Sequence, residues 1–186
     1  MASPNVVREM SETLVNILQN ALQDIVPTGN VLISTLDGFH TVPRPACTIF
    51  LYRVAVNPVM RNGPRVIVRP GETSQPLLPV DLSYLITPWG RSPEDEHQIL
   101  GFALQALYDH AELGRGDLIG TSWLPDDSVQ LILECLSLEE HFCIWDTVQL
   151  PYRLSLTYMA RIIGIAPSGT ETTSPVVTAI FGATAS

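Results

Sequence analysis

The stretch ACTIFLYRVAVN, residues 46 to 57, is rich in β-branched and aromatic residues, and its apolar side chains fall on both parities. A strand that is apolar on both faces must be covered on both faces, so this segment predicts a central strand rather than an edge. A second segment, LPVDLSYLITPWG at 78 to 90, predicts another strand over about Val80 to Thr87, entered from a proline-rich loop and closed by Pro88-Trp89-Gly90. Its alternation sets Val80, Leu82, Tyr84 and Ile86 on one face and Asp81, Ser83, Leu85 and Thr87 on the other.

Helices supply the cover. Val6, Met10, Leu14, Ile17 with Leu18, Ala21 and Ile25 recur at spacings of three or four, predicting an amphipathic helix over 5 to 25 that Pro27 and Gly29 end. SPED at 92 to 95 predicts a helix start, with Ser92 as N-cap, Pro93 in the first turn and acids at the positive dipole end. That helix runs to about His110 with Ile99, Phe102, Ala103, Ala106 and Leu107 inward. Ser137-Leu-Glu-Glu140 has the form of a capping box and opens a short helix through Trp145.

Further strands are predicted at VLIST, 31 to 35, and VQLILECL, 129 to 136. RNGPR at 61 to 65 is a turn, Arg69 to Pro79 a proline-punctuated loop, and GRGDLIG a loop. YRLSLTYMARIIGIA, 152 to 166, alternates strictly. Tyr152, Leu154, Leu156, Tyr158, Ala160 and Ile162 lie on one face, and Arg153, Ser155, Thr157, Met159 and Arg161 on a wetter one. After Pro167 come a flexible linker, SGTETTS, and the short apolar run PVVTAIF. The expected architecture is one α/β (α+β) domain over 1–167, with a central mixed, mainly antiparallel sheet flanked by helices, followed by an extended C-terminal tail, 168–186.

Composition excludes several functions. The 186 residues include no lysine, ten arginines and a net charge of −9, which argues against non-specific nucleic-acid binding and polybasic membrane attachment. No apolar run approaches a membrane span, and the N-terminus lacks a signal-peptide pattern, so a cytoplasmic protein is expected, with an extracellular place after release as the alternative. Cys47, Cys135 and Cys143 have no metal or disulfide spacing. Charge is unevenly spread: residues 38 to 93 carry six arginines against Glu72 and Asp81, and residues 94 to 146 carry twelve acids against Arg115 alone. Such separation suits head-to-tail self-association as well as two separately solvated surfaces.

Catalytic patterns are missing. There is no nucleophile elbow, P-loop or dinucleotide fingerprint, and His40, His97, His110 and His141 never pair at ligand spacing. His141 and Cys143, two apart on a helix, point to different faces. Asp81 has no histidine or second acid nearby in sequence, so it is read as a hydrogen-bonding strand residue rather than a general base. Neither a cofactor nor a metal is expected, and no enzyme is required.

The ordered segments IFLYRVAVNPVMRNGPR, PLLPVDLSYLITPWG, EDEHQILGFALQALYD and LEEHFCIWDTVQLPYRLSLTYMARIIGI resemble the tail-terminator, or cap, proteins of contractile injection systems, which are phage-tail-like particles. The resemblance runs from the first helix to about Ile165. It implies a structural, non-enzymatic protein of mixed α/β fold, six copies of which form a ring that ends the inner tube and sheath and stops their polymerisation. The implied partners are the chain itself, the sheath protein and the inner tube protein, with neither nucleic acid nor membrane insertion.

Under that reading Arg53, Arg61 and Arg65 are expected at subunit, tube or sheath contacts, with acceptors among Glu94 to Glu96, Asp126 and Asp127. Arg153 and Arg161 join them from the wetter face of the last strand. Val176, Val177, Ile180 and Phe181 form an expected strand donor, being apolar yet separated from the core by a linker. Two other readings stay open: an adaptor or other structural part of the same particle, and a small hydrolase or ligand-binding α/β domain whose polar groups meet only in three dimensions.

Overall fold

The computed structural model describes residues 4–58, 66–69, 72–74, 76–165, 167 and 170–172. Its centre is a six-stranded mixed sheet. In chain order the strands are β1 (Val31–Ile33), β2 (Ala46–Val56), β5 (Leu78–Trp89), β6 (Glu112–Leu113), β7 (Val129–Glu134) and β8 (Leu156–Ile165). Their spatial order is β1-β2-β5-β8-β7-β6, and only β1 with β2 is parallel. The remaining strands are β3 (Val66–Arg69), β4 (Glu72–Ser74) and β9 (Thr170–Thr172), which form a three-stranded sheet.

β5 is the axis of the domain. Every residue from Pro79 to Trp89 is buried, as a strand covered on both faces requires. On one face Val80, Leu82, Tyr84 and Ile86 meet α1 (Val6–Ala21) and α2 (Pro93–Asp109) in the main core, with Met10, Leu14, Leu18, Ile99 and Leu107. On the other face Leu85 and Trp89 meet a 3₁₀ turn at Asp37–Thr41 and α3 (Leu138–Val148). Here Phe39 stacks on Trp145 with centroids 5.6 Å apart, and Trp89 and Phe50 close around Phe39. Trp89 Nε1 donates to Thr48 Oγ1 at 2.8 Å and Trp145 Nε1 to Ser155 Oγ at 3.2 Å, so both buried indoles keep a hydrogen-bond partner.

Both expected caps are present: Asp95 N–H donates to Ser92 Oγ and Glu140 N–H to Ser137 Oγ, each at 3.2 Å. Several boundaries differ from expectation. α1 stops at Ala21, and a hydrogen-bonded turn carries the chain to Val26 before Pro27; Ala21 and Ile25 are half-buried while Leu22 and Val26 are buried. Phe102, expected inward, is 44% exposed, because α2 rests on Ile99, Ala103, Ala106 and Leu107 alone. β2 is enclosed only over its first half; Arg53, Val54 and Val56 are exposed. α3 continues past Trp145 to Val148, where Gln149 adopts a left-handed conformation, φ 56°.

β8 starts at Leu156, so Tyr152 and Leu154 precede the strand and stay exposed. The strict alternation also breaks within it. Val80 pairs with Ile163 and Leu82 with Ala160, so Asp81 faces a β-bulge at Arg161 and Ile162, after which Ile163 is buried. A matching irregularity at Tyr52 lies between Leu51 and Arg53 on β2.

The proline-punctuated loop from Arg69 to Pro79 contains β4, and β9 falls within the expected linker. They belong to the second sheet, where Ser74 pairs with Thr170 and Glu72 with Thr172.

Candidate interaction surfaces

Chemistry comes first, because a carboxylate on the central strand invites it. Asp81 is 9% exposed, and its Oδ2 accepts from Asn57 Nδ2 at 3.0 Å. The bulge on β8 brings Arg161 Nε within 4.0 Å of the same oxygen. Its partners here are an amide and a guanidinium, so Asp81 acts as a hydrogen-bonding and ion-pairing residue. Among the described residues no three His, Cys, Asp or Glu side chains converge as a metal site. His110 caps α2, its Nδ1 lying 2.8 Å from Ala106 O. Cys47 is buried and its thiol is pushed up to about 12 by desolvation, while Cys135 and Cys143 are exposed.

The arginines divide into two kinds. Arg153 is built into the fold: Nη1 donates to Glu96 Oε1 at 2.6 Å, and the guanidinium carbon lies 4.6 Å over the Trp89 ring. Glu96, expected to receive a neighbour's arginine, is therefore engaged within its own chain. Asp127 Oδ2 similarly accepts from Leu124 N–H in its own turn, and Asp95 belongs to its capping box. Arg53 is exposed on β2 beside the Tyr52 irregularity. Arg61, Arg65, Val176, Val177, Ile180 and Phe181 lie outside the described residues.

Three features escaped the sequence reading. Glu9, in the middle of the α1 apolar stripe, is 3% exposed and accepts from Ser122. Tyr52 donates its hydroxyl to Glu134 Oε2 at 3.0 Å; burial first, then the Glu134 charge, push its phenol up to about 12. Third, α2 has a second, outward apolar stripe: Leu104 and Tyr108 are exposed beside Leu133 of β7. Gly101, Leu104 and Tyr108 at spacings of three and four carry that signal in the sequence.

A family profile described as the Pvc16 N-terminal domain matches residues 9–179. The chain belongs to the Pvc16 N-terminal domain family. Two solved structures share the fold. One is the sheath/tube terminator of an extracellular contractile injection system, PVC, in its extended state. It is 19% identical with a TM-score of 0.60, and the match covers 94% of this chain and 64% of that one. The other is the cap of the anti-feeding prophage, described as a tube terminating cap. It is 21% identical with a TM-score of 0.58, covering 90% of this chain and 59% of that one. The chain thus spans 64% and 59% of the length of these two larger proteins. No curated protein matches it. The mixed α/β fold expected from the resemblance is the fold found. No helix among the described residues is long and apolar enough to cross a membrane.

Proposed function

We propose that this Pvc16 N-terminal domain family member is a structural cap subunit that ends the inner tube and sheath of a contractile injection system. The supporting observation is the shared fold over 94% of the chain with a sheath/tube terminator. In this reading copies of the chain, six by the family resemblance, close into a ring on the last tube and sheath layer and leave no surface for another layer to add. The work is mechanical, not catalytic, and the partners are the chain itself, the sheath protein and the tube protein. Assembly takes place in the cytoplasm.

The charge distribution supports such a ring. A head-to-tail interface pairs two different surfaces of one molecule, and the basic and acidic halves of this sequence are complementary. Exposed Arg53, together with Arg61 and Arg65, supplies the basic side, and Glu94 and Asp126 remain as exposed acceptors. Arg161 contributes beside Asp81, and the Val176 to Phe181 run supplies a strand.

Particle length tests the proposal. Tube and sheath proteins co-produced with the baseplate and this chain should give particles of one length by electron microscopy. Omitting the chain should give a broad length distribution with open distal ends. Unchanged lengths would sink the reading.

A further inference from the structure

α2 and β7 diverge to leave an apolar cleft of about 490 Å³ lined by Leu104, Leu107, Tyr108, Leu131, Leu133 and Tyr158. Its rim is wet: Tyr108 is 77% exposed, Leu133 45% and Leu104 39%. Beside it runs an unfinished sheet edge. β6 pairs only with Val129 and Gln130, and Leu131 N–H donates to Ala111 O at 2.8 Å. Beyond that, Ile132, Leu133 and Glu134 have no ladder partner on this side among the described residues. Because outward-facing main-chain groups recur every second residue, Leu133 presents its N–H and C=O to the same open side as Leu131. An apolar slot next to an open ladder is the form that accepts an added strand, with main-chain bonds for affinity and alternate side chains in the slot.

The sequence holds a segment of matching chemistry, Val176-Val-Thr-Ala-Ile-Phe181, whose alternate residues are apolar. A neighbour's cleft suits it better than its own. From Tyr158 on the cleft wall β8 leads away to Ile165, and Thr172 of β9 comes fourteen residues after Tyr158, a contour of roughly 45 Å at the usual rise per residue. Nine residues lead from Thr172 to Phe181, at most about 30 Å fully extended, which is less than that outward contour.

We infer that the cleft receives the Val176–Phe181 segment of a neighbouring copy, added as a strand on the open edge of β7. The inference rests on the ring reading above and gives that ring a head-to-tail link: each subunit's tail occupies the next subunit's α2–β7 cleft. Such a link is heterologous, so it closes only when the rotation between copies permits.

Mixed single-cysteine variants test the link, in a Cys135→Ser/Cys143→Ser background that removes the exposed native thiols. Chains carrying Leu104→Cys are mixed with chains carrying Phe181→Cys and oxidised, a pairing that can form disulfides only between copies. The Leu133→Cys and Ala179→Cys pair repeats the experiment at a second rung, since Ala179 and Phe181 share one face of the added strand. The expected result is a disulfide-linked dimer from each mixture and little or none from any variant alone. Rings that form without these cross-links overturn the cleft inference and leave the cap reading standing. Cross-links from the tail to sheath protein in assembled particles, in place of those between copies, assign the tail elsewhere and also overturn it. Absence of any ring from the unmodified chain removes the ring reading itself, and the inference with it.

Discussion

Glu9 and Ser122 are joined twice: the Ser122 amide donates to Glu9 Oε2 at 3.1 Å and the Ser122 hydroxyl to Oε1 at 2.8 Å. Four residues on, Thr13 Oγ1 accepts from Ile119 N–H at 3.0 Å. These bonds fasten the loop between β6 and β7 to the buried side of α1. Glu9→Ala leaves two buried donors unpaired and should cost about 2–6 kcal/mol, at roughly 1–3 kcal/mol for each orphaned group. Glu9→Gln keeps one acceptor and should cost less. Urea denaturation followed by circular dichroism measures both; equal losses would contradict the pairing.

Gly120 lies against the same carboxylate with φ +105°, and a Cβ there would collide with Glu9. Gly120→Ala should therefore destabilise by more than about 1 kcal/mol, since both backbone and space oppose a side chain. In a Glu9→Ala background the same change should cost less, because the collision is gone while the backbone strain remains. A purely additive pair of losses would show that the two sites do not touch.

Arg153 combines a short bond to Glu96 with a position over Trp89, and both ion-pair side chains are 23% exposed. Arg153→Ala should lower stability by about 1–2 kcal/mol, and Arg153→Lys should restore only part of it, because an ammonium lacks the planar stacking surface. Thermal unfolding of the two variants gives the comparison.

Thiol labelling should separate the three cysteines. A maleimide at neutral pH should modify Cys135 and Cys143 rapidly and Cys47 only after denaturation, since burial pushes the Cys47 thiol up to about 12. Rapid native labelling of all three would mean that the sheet opens at β2.

Alkali should loosen the fold through protons that the native state holds more tightly than the unfolded chain. Tyr52 titrates near 10 when unfolded and near 12 when folded, so its contribution is present below pH 10 and lost as pH rises through 12. Cys47 acts in the same direction between about 9 and 12, and burial also raises Tyr84. The melting temperature should fall from about pH 9 upward. Tyr52→Phe should flatten the decline between 10 and 12.

Much of the fold was legible because local chemistry and tertiary structure agree. Ser92 and Ser137 announce their helices through side-chain oxygens that need only the next three residues, so sequence suffices. The apolar parity of β5 likewise survives in the structure, because both its faces are covered. What escaped depends on distant partners. Glu9 reads as an interruption of a helical stripe until Ser122, more than a hundred residues away, meets it. The bulge opposite Asp81 cannot be counted from alternation, since it arises from pairing between β5 and β8. Phe102 was misplaced because a spacing rule admits a wider stripe than the sheet actually covers. The interface arginines split for a similar reason: Arg153 and Glu96 are far apart in sequence and meet only when α2 packs beside the entry to β8.

The central strand has a consequence in time. A ribosome releases β2 first and β5 next, but β8, which completes the other edge of β5, ends only at Ile165. From the end of β5 at Trp89 until β8 is made, the most buried strand of the protein is paired on one side and bare on the other, the condition in which strands seek stray partners. A nascent chain halted before that point has no closed sheet, so premature termination should yield aggregates rather than shortened subunits. β8 precedes the Val176 to Phe181 run in the sequence, so a copy has its own ladder complete before that segment is made.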